Sequence, residues 1–600
     1  MRLFQPASCE EQGFQAFAEE PSLSQMSQTF ALPPDRADVY VTEEACQRPC
    51  SSRNARVRIS VSSGTGNSGD RGIMWRLYLA AITLVSLIQT SNSAQDFKPT
   101  PETHSSAGYV SLDPTHDLGT WEGWGSSLAW WGRAVGGTQN ADYYADLIYT
   151  TKETDGLPGI GLNIVRYNVG GGGIDQPQEN KGPKLQWQMD IHGYWTDPNT
   201  RDPQNWNWSV DQNQRAMIQK ARDRGANVFE MFSDSPMWWM NANRSTAGSD
   251  TGGDCLRPEN YDRFAFYLAA VARYAADHWG IRFDSVEPFN EPSANWWKYP
   301  GRQEGCHFDL ATQQIVVQRL RRALNQAGLK DVAVAAADEN NIDAGLNTWN
   351  AYGAATRAQV GRVNVHGYGD GTKPYHGPNR IELRRAVAVN QMWLSEYGDG
   401  DASGYTMADS IMRDVKELQP SAWIYWQPVE PDVAAFGWGL INADYVDTHD
   451  QPSTQKTALV RVNRKFFVIG QFTRYIRPGY HLIEVADPNS IAAYDLSSHR
   501  LVVIKVTGAA SESIHFDLSN LSVADTIQVI ATTTTPGGSI PDWKQHSQIL
   551  KLTKRSAQTF IEAHLYPKSV YTFVVQGVSC KGFCAESNAG ILSTVNVPVK

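Results

Sequence analysis

Positive charge is in short supply in this chain: 53 Lys and Arg stand against 63 Asp and Glu, a net charge of -10. A nucleic-acid binder normally carries a basic face, so no nucleic-acid partner is expected, and an acidic surface suits a protein that meets uncharged ligands. Long apolar runs are also missing, which excludes a multi-span membrane protein. Cysteine is sparse at seven residues, and the 13 histidines are scattered. No His-Glu-x-x-His, Cys-x-x-Cys pairing, phosphate-binding Gly-rich loop or Gly-x-Ser-x-Gly elbow occurs, so neither a metal nor a cofactor is expected.

The N-terminal region is poor in pattern. Residues 1–73 are rich in Ser, Gly, Glu and Arg, with little periodicity and three of the cysteines. Then Met74-Trp-Arg-Leu-Tyr-Leu-Ala-Ala-Ile-Thr-Leu-Val-Ser-Leu-Ile leads into Gln-Thr-Ser-Asn-Ser-Ala. A short basic start, an apolar stretch and a small-residue cleavage region predict a signal peptide over 74–94 and a secreted protein. The stretch is too short for a comfortable membrane span. Residues 1–73 then read as a non-native or disordered extension ahead of a start at Met74; a type II membrane anchor is the alternative. The remaining Cys255, Cys306, Cys580 and Cys584 form an even set that could pair as 255–306 and 580–584 in an oxidising compartment. Sequons begin at Asn207, Asn243 and Asn520. A monomer without a membrane partner is expected.

What is present in excess is tryptophan. Eighteen of the 20 lie between Trp121 and Trp438. Sugars present flat C–H faces that stack on indoles, whereas a large aromatic core is the plainer account of about half of these residues. The adjacent pairs Trp130-Trp131, Trp238-Trp239 and Trp296-Trp297 resist that account, because neighbouring side chains seldom all point inward.

From about residue 120 to 463, short apolar runs alternate with amphipathic stretches. Strands are predicted at 121–125, 163–169, 227–232, 285–289, 332–336, 362–366, 392–395 and 422–426, with helices such as 211–224, 260–278, 310–327 and 407–418 between them. Eight strands alternating with helices predict an α/β fold, a closed (β/α)8 barrel over 107–463. A doubly wound open sheet is disfavoured, since no Gly-rich phosphate loop follows the first strand. After residue 464, alternating runs at 501–506, 514–518, 526–531, 547–552, 557–565 and 569–576 predict an antiparallel β-sandwich over 464–600, with a surface turn at 532–538.

In such a barrel the C-terminal strand ends converge on one mouth. The fourth strand ends in Asn290-Glu291-Pro292 and the seventh in Glu396-Tyr397, on opposite sides. Two carboxyls facing across a pocket can divide acid and base roles if their surroundings push their pKa values apart. At a separation of roughly 5–5.5 Å they support double displacement at an anomeric carbon with retention. Glu291 and Glu396 then share the roles of acid/base and nucleophile, with Asn290 a donor to a sugar hydroxyl. A binding-only protein on the same scaffold is the rival class, and it predicts the loss of one carboxylate. Other strand ends nominate Trp124, Trp130, Arg166, Asn168, His366, Tyr368 and Trp426 as donor-subsite residues, with Arg166 ion-paired to Glu396. Trp238, Trp239 and Trp296 are candidate stacking walls on the leaving-group side. Asp338 and Glu339 are weaker sugar-binding candidates, a helix cap being simpler.

The stretches Gly123-Trp-Gly-Ser-Ser-Leu-Ala-Trp-Trp, Arg166-Tyr-Asn-Val-Gly-Gly-Gly, Ser235-Pro-Met-Trp-Trp-Met, Pro288-Phe-Asn-Glu-Pro, Val365-His-Gly-Tyr and Trp393-Leu-Ser-Glu-Tyr resemble glycoside hydrolase family 30. So does the run from Lys465 to Gly479, which in that family leads from barrel to side sandwich. The resemblance spans roughly residues 107–577. It implies a retaining mechanism with Glu291 as acid/base and Glu396 as nucleophile, a polysaccharide or oligosaccharide substrate, and a sandwich strand contributed by 108–112. The opening motif, the Trp-rich insertion at 186–208 and Ala336-Ala-Asp-Glu-Asn-Asn look most like the family's fungal endo-β-1,6-galactanase branch, with endo-β-1,6-glucanase as the alternative.

Overall fold

The computed structural model describes residues 39–44, 56–61, 108–176, 182, 187–369, 374–388, 391–432, 438–445, 457–523, 527–533, 544–545, 550–555 and 558–580. The predicted signal peptide at 74–94 and Cys584 lie outside them. The chain divides into two units, Met1–Thr103 and His104–Lys600. In the first, Val39–Glu44 and Arg56–Val61 pair antiparallel. No helix among the described residues is long and apolar enough to cross a membrane.

The second unit begins with β1 (Gly108–Thr120). Eight parallel strands then close into a barrel: β2 (Gly123–Ser127), β3 (Ile164–Asn168), β4 (Val228–Phe232), β5 (Ser285–Glu287), β6 (Ala333–Glu339), β7 (Val360–His366), β8 (Gln391–Tyr397) and β9 (Ala422–Tyr425). Closure is made by β9 on β2, with Ala422 opposite Gly123. All eight predicted strands are found, most within one or two residues of their predicted bounds. Helices follow the strands in turn: α1 (Ala141–Tyr149), α2 (Gln212–Asp223), α3 (Tyr261–Tyr274), α4 (Leu310–Gln326), α5 (Ile342–Ala351), α6 (Arg380–Val387), α7 (Tyr405–Arg413) and α8 (Arg464–Thr473). In α2 the buried residues are Gln214, Met217, Ile218 and Ala221, the one-faced spacing that lays a helix on a sheet.

The barrel interior is layered. At its floor Ile164, Trp393, Ala422 and Ile424 pack together. A Cβ at Gly125 would fall 2.6 Å from Ile424 Cδ1, so only glycine fits there. Arg362 covers the Trp393 ring at 3.6 Å and donates to Ser285 Oγ at 2.6 Å. Above it Glu230 accepts from Ser285, Asn364 and Arg166 at 2.7, 2.9 and 2.9 Å. A buried polar column therefore rises from the floor to the mouth.

The side domain's large sheet is built from β10 (His481–Val485), β11 (Ser490–Asp495), β12 (Arg500–Val506), β13 (Glu512–Asp517), β14 (Ile527–Thr533), β15 (Lys544–Gln545), β16 (Leu550–Arg555), β17 (Gln558–Leu565) and β18 (Ser569–Val575). They form one ten-stranded sheet with β1, in the order β15-β14-β18-β12-β11-β10-β1-β13-β17-β16. β1 pairs β13 along its first residues and β10 along the rest, which joins the two layers of the sandwich. Their shared core includes Val110, Leu112, Ile483, Val503, Phe516, Ile561 and Phe573. The expected contribution of 108–112 is present, and β10, β11 and the short β15 are additional to the six predicted strands. The turn predicted at 532–538 begins too early. Thr532 belongs to β14 and is buried, and it accepts from Gln471 Nε2 on α8 at 2.7 Å. Gln471 also accepts from Thr572 Oγ1, so α8 is clamped between barrel and sandwich.

Candidate active site

Glu291 stands four residues beyond β5 with φ 49°, in the left-handed region. Two backbone contacts hold it there: its N–H donates to Asp338 O at 2.9 Å, and Trp297 Nε1 donates to its carbonyl at 3.0 Å. Strain of this kind persists where surrounding structure imposes it. The carboxylate accepts from Asn340 Nδ2 at 2.7 Å on Oε1 and from Trp296 Nε1 at 3.2 Å on Oε2.

Glu396 lies near the end of β8. Its Oε1 accepts from the Tyr368 hydroxyl at 3.1 Å, and its Oε2 faces Arg166 Nη1 at 3.7 Å. Arg166 itself is fully buried. It donates to Glu230, to Asp338 Oδ2 at 2.6 Å and to the Ser395 carbonyl at 3.0 Å, so Glu396 is its third carboxylate partner. Burial alone would weaken the guanidinium's hold on its proton, but Asp338, Glu230 and Glu396 raise its pKa instead. Asp338 is the converse case. Burial would raise its carboxyl, yet Arg166 and His366 hold it well below the usual carboxylate range.

Between the two glutamates sits the buried imidazole of His366. Its Nδ1 is 3.4 Å from Glu291 Oε1 and 3.5 Å from Glu396 Oε1, and its Nε2 is 3.3 Å from Asp338 Oδ2. Burial would strip its proton, but Glu396 and Asp338 outweigh burial and raise its pKa well above the ordinary value. The ring is thus a cation among three carboxylates. Glu291, His366 and Glu396 each turn one ligand-type atom to within 4.8 Å of the others. With the imidazole protonated, the trio is an ion-paired group, its ring nitrogens 3.3–3.5 Å from the carboxylate oxygens. Glu396 is pushed up to about 7 by burial, against the pull of His366 and with Glu291 adding to the rise. Facing each other across the mouth, the two carboxyls can divide the roles of acid and nucleophile.

Across the mouth, Trp130 and Trp426 meet edge to face at 5.1 Å and pack with Ile191 and Phe232. Asn168 donates to Asp234 Oδ2 at 2.6 Å. Buried Asn290 has an Oδ1 without a hydrogen-bond partner, and the indole N–H of Trp238 likewise has none. Trp296 is half exposed beside Glu291.

Three expectations need correction. Trp124 does not line the mouth: its strand parity turns it outward, where it packs on Trp121, Trp423 and Phe472 and donates to the Ile476 carbonyl at 2.8 Å. Trp239 is a core residue, donating to Trp195 O at 2.8 Å and meeting the Trp195 ring at 4.9 Å. Asp338 and Glu339 neither cap a helix nor face the opening. Asn341 caps α5, and Glu339 accepts from Ser293 and Thr348, tying the Glu291 loop to that helix. Sequence reasoning missed Asn340 and Asp234. Asn340 follows β6 directly and Asp234 lies two residues beyond β4, in loops whose side-chain directions no strand pattern fixes.

A closed parallel barrel with a side sandwich and two carboxylates facing across its mouth defines a class, the barrel-type glycoside hydrolases. The profile of O-Glycosyl hydrolase family 30 matches residues 108–360. The chain is 40% identical over 445 residues to the endo-beta-1,6-galactanase of Hypocrea rufa, covering 72% of this chain and 86% of that protein. Among solved structures, a conserved exported protein from Bacteroides fragilis superposes with a TM-score of 0.63 at 16% identity, over 78% of this chain and all of that one. The catalytic domain of GH30 xylanase C from Talaromyces cellulolyticus gives 0.56 at 18%, again over 78% and 100%. The chain belongs to glycoside hydrolase family 30.

Proposed function

We propose that this protein is a secreted, retaining endo-glycosidase that hydrolyses β-1,6-linked galactan, with Glu291 as acid/base and Glu396 as nucleophile. The observation that carries the mechanism is the approach of Glu291 and Glu396 across the mouth, one oxygen of each within 4.8 Å of the other. That spacing suits double displacement and is too short to hold a sugar ring together with the attacking water that inversion requires. The likeness to the Hypocrea rufa endo-beta-1,6-galactanase supports the substrate. The predicted signal peptide at 74–94 supports secretion.

In the first step Glu396 attacks the anomeric carbon while Glu291 gives its proton to the departing glycosidic oxygen. The C–O bond breaks as a glycosyl ester forms on Glu396. Glu291, now a carboxylate, takes a proton from water, which attacks the same carbon and releases Glu396. His366 and Tyr368 hold the nucleophile's carboxylate in place and stabilise its charge each time it is released.

The test incubates β-1,6-galactan, β-1,6-glucan and glucuronoxylan in parallel and follows the product anomers by NMR. Galactan cleavage with an initial β-anomer is the expected result. An initial α-anomer would overturn retention, and cleavage of glucan or xylan in preference would overturn the substrate. Unchanged sugar release by both Glu291→Gln and Glu396→Gln would sink the assignment of roles.

A further inference from the structure

The mouth has two unlike halves. The ends of β5–β8 carry the charged group around Glu291, His366 and Glu396, whose side chains lie among opposite charges at 3.3–3.7 Å. The ends of β2–β5 hold a set of buried polar atoms with no protein partner: Trp130 Nε1, Asn168 Oδ1, Asp234 Oδ1, Trp238 Nε1 and Asn290 Oδ1. Burying such groups unpaired costs free energy, so a native protein keeps them where a ligand completes them.

Asp234 stands out in this set. It lies two residues beyond β4 with almost no exposed surface. Its Oδ2 is pinned by Asn168 at 2.6 Å, which leaves Oδ1 free on a fixed carboxyl. Asp338 and Glu339, carboxyls that serve the scaffold, have both oxygens engaged. A sugar whose anomeric carbon sits between Glu291 and Glu396 places C1 and C2 beside the charged half and Asn290. The rest of its ring then extends over Trp130, Trp426 and Phe232, towards Asp234.

We propose that Asp234 is a specificity-determining residue of the donor subsite, its Oδ1 hydrogen-bonding the sugar hydroxyl at C3 or C4. The inference rests on reading this site as a galactoside-binding one. Burial, with Glu396 nearby adding to it, pushes the Asp234 carboxyl up to about 8. Near neutrality it therefore carries a proton and can donate as well as accept, which suits a hydroxyl that does both.

The experiment is a coupling cycle on an aryl β-1,6-galactobioside and its 2-, 3- and 4-deoxy forms, the missing hydroxyl being in the sugar that bears the aryl group. Wild type, Asp234→Asn and Asp234→Ala are compared by kcat/KM, with melting curves confirming that the variants fold. Removing the partnered hydroxyl is expected to cost the wild type about 10- to 100-fold, the loss from leaving one buried polar group unpaired. Asp234→Ala should lose a similar factor on the parent compound, and the deoxy penalty at C3 or C4 should shrink to about threefold or less. Independent, multiplying penalties at both positions would overturn the proposal, as would coupling confined to C2. If wild type fails to cleave the parent compound, the galactoside reading falls instead, and the same cycle on the aryl β-1,6-glucobioside series decides the role of Asp234.

Discussion

His366 Nδ1 lies 3.5 Å from Glu396 Oε1, and the imidazole has no exposed surface. A buried cation this close to a buried carboxyl offsets much of what desolvation does to it. Glu396 is raised only to about 7 although it is deeply buried, because His366 and Arg166 oppose the rise.

Replacing His366 with Asn removes that positive charge. The Glu396 carboxyl should then titrate higher, moving the acidic limb of the kcat/KM profile upward by about one pH unit or more. Glu291→Gln removes a neighbouring negative charge and should move the limb the opposite way, measured on a substrate with a good leaving group. A limb that stays in place in both variants would show that the imidazole does not govern this carboxyl.

Asp338 is a scaffold residue by its contacts. Asp338→Asn leaves Arg166 partly unpaired in the barrel, and chemical denaturation should show a loss of about 3–5 kcal/mol at neutral pH. Because Asp338 is held below its ordinary value, its contribution is present above the unfolded pKa and is lost as pH falls through the folded one. The gap between wild type and variant should therefore narrow below about pH 4.

Trp296→Phe keeps a ring beside Glu291 but deletes the indole N–H that reaches Oε2. A fall in kcat/KM of about ten- to a hundredfold is expected, corresponding to one hydrogen bond to a charged group. The melting temperature should hardly change, since the residue is half exposed.

Cys255 and Cys306 are buried free thiols in hydrogen-bonding contact with each other. Protein recovered from an oxidising compartment should yield a 255–306 linked peptide under non-reducing mapping. Quantitative alkylation of both thiols in unfolded, unreduced protein would contradict that pairing.

The barrel was legible because eight apolar runs each end where a helix pattern begins, and hydrophobic periodicity survives without any knowledge of contacts. The glutamates were legible because a strand-end position fixes which way a carboxyl faces. What failed was side-chain direction one residue away from those ends. Trp124 sits in the correct strand, but on its outward face. Two of the paired tryptophans divide in the same manner: Trp131 goes to the core with its N–H on the Ser127 carbonyl while Trp130 lines the mouth, and Trp239 goes to the core beside Trp238. Asn340 and Asp234 were hidden because a loop's path, not its composition, decides where its residues turn.

The junction of β1 with β10 bears on how this chain is made. β1 leaves the ribosome about 360 residues before its antiparallel partner. At about 5–20 residues per second, that is a wait of roughly 20–70 s with an unpaired strand edge. The whole barrel is synthesised in that interval, so it is expected to mature first while the lone strand depends on chaperones. The two layers can close only when the last fifth of the polypeptide arrives.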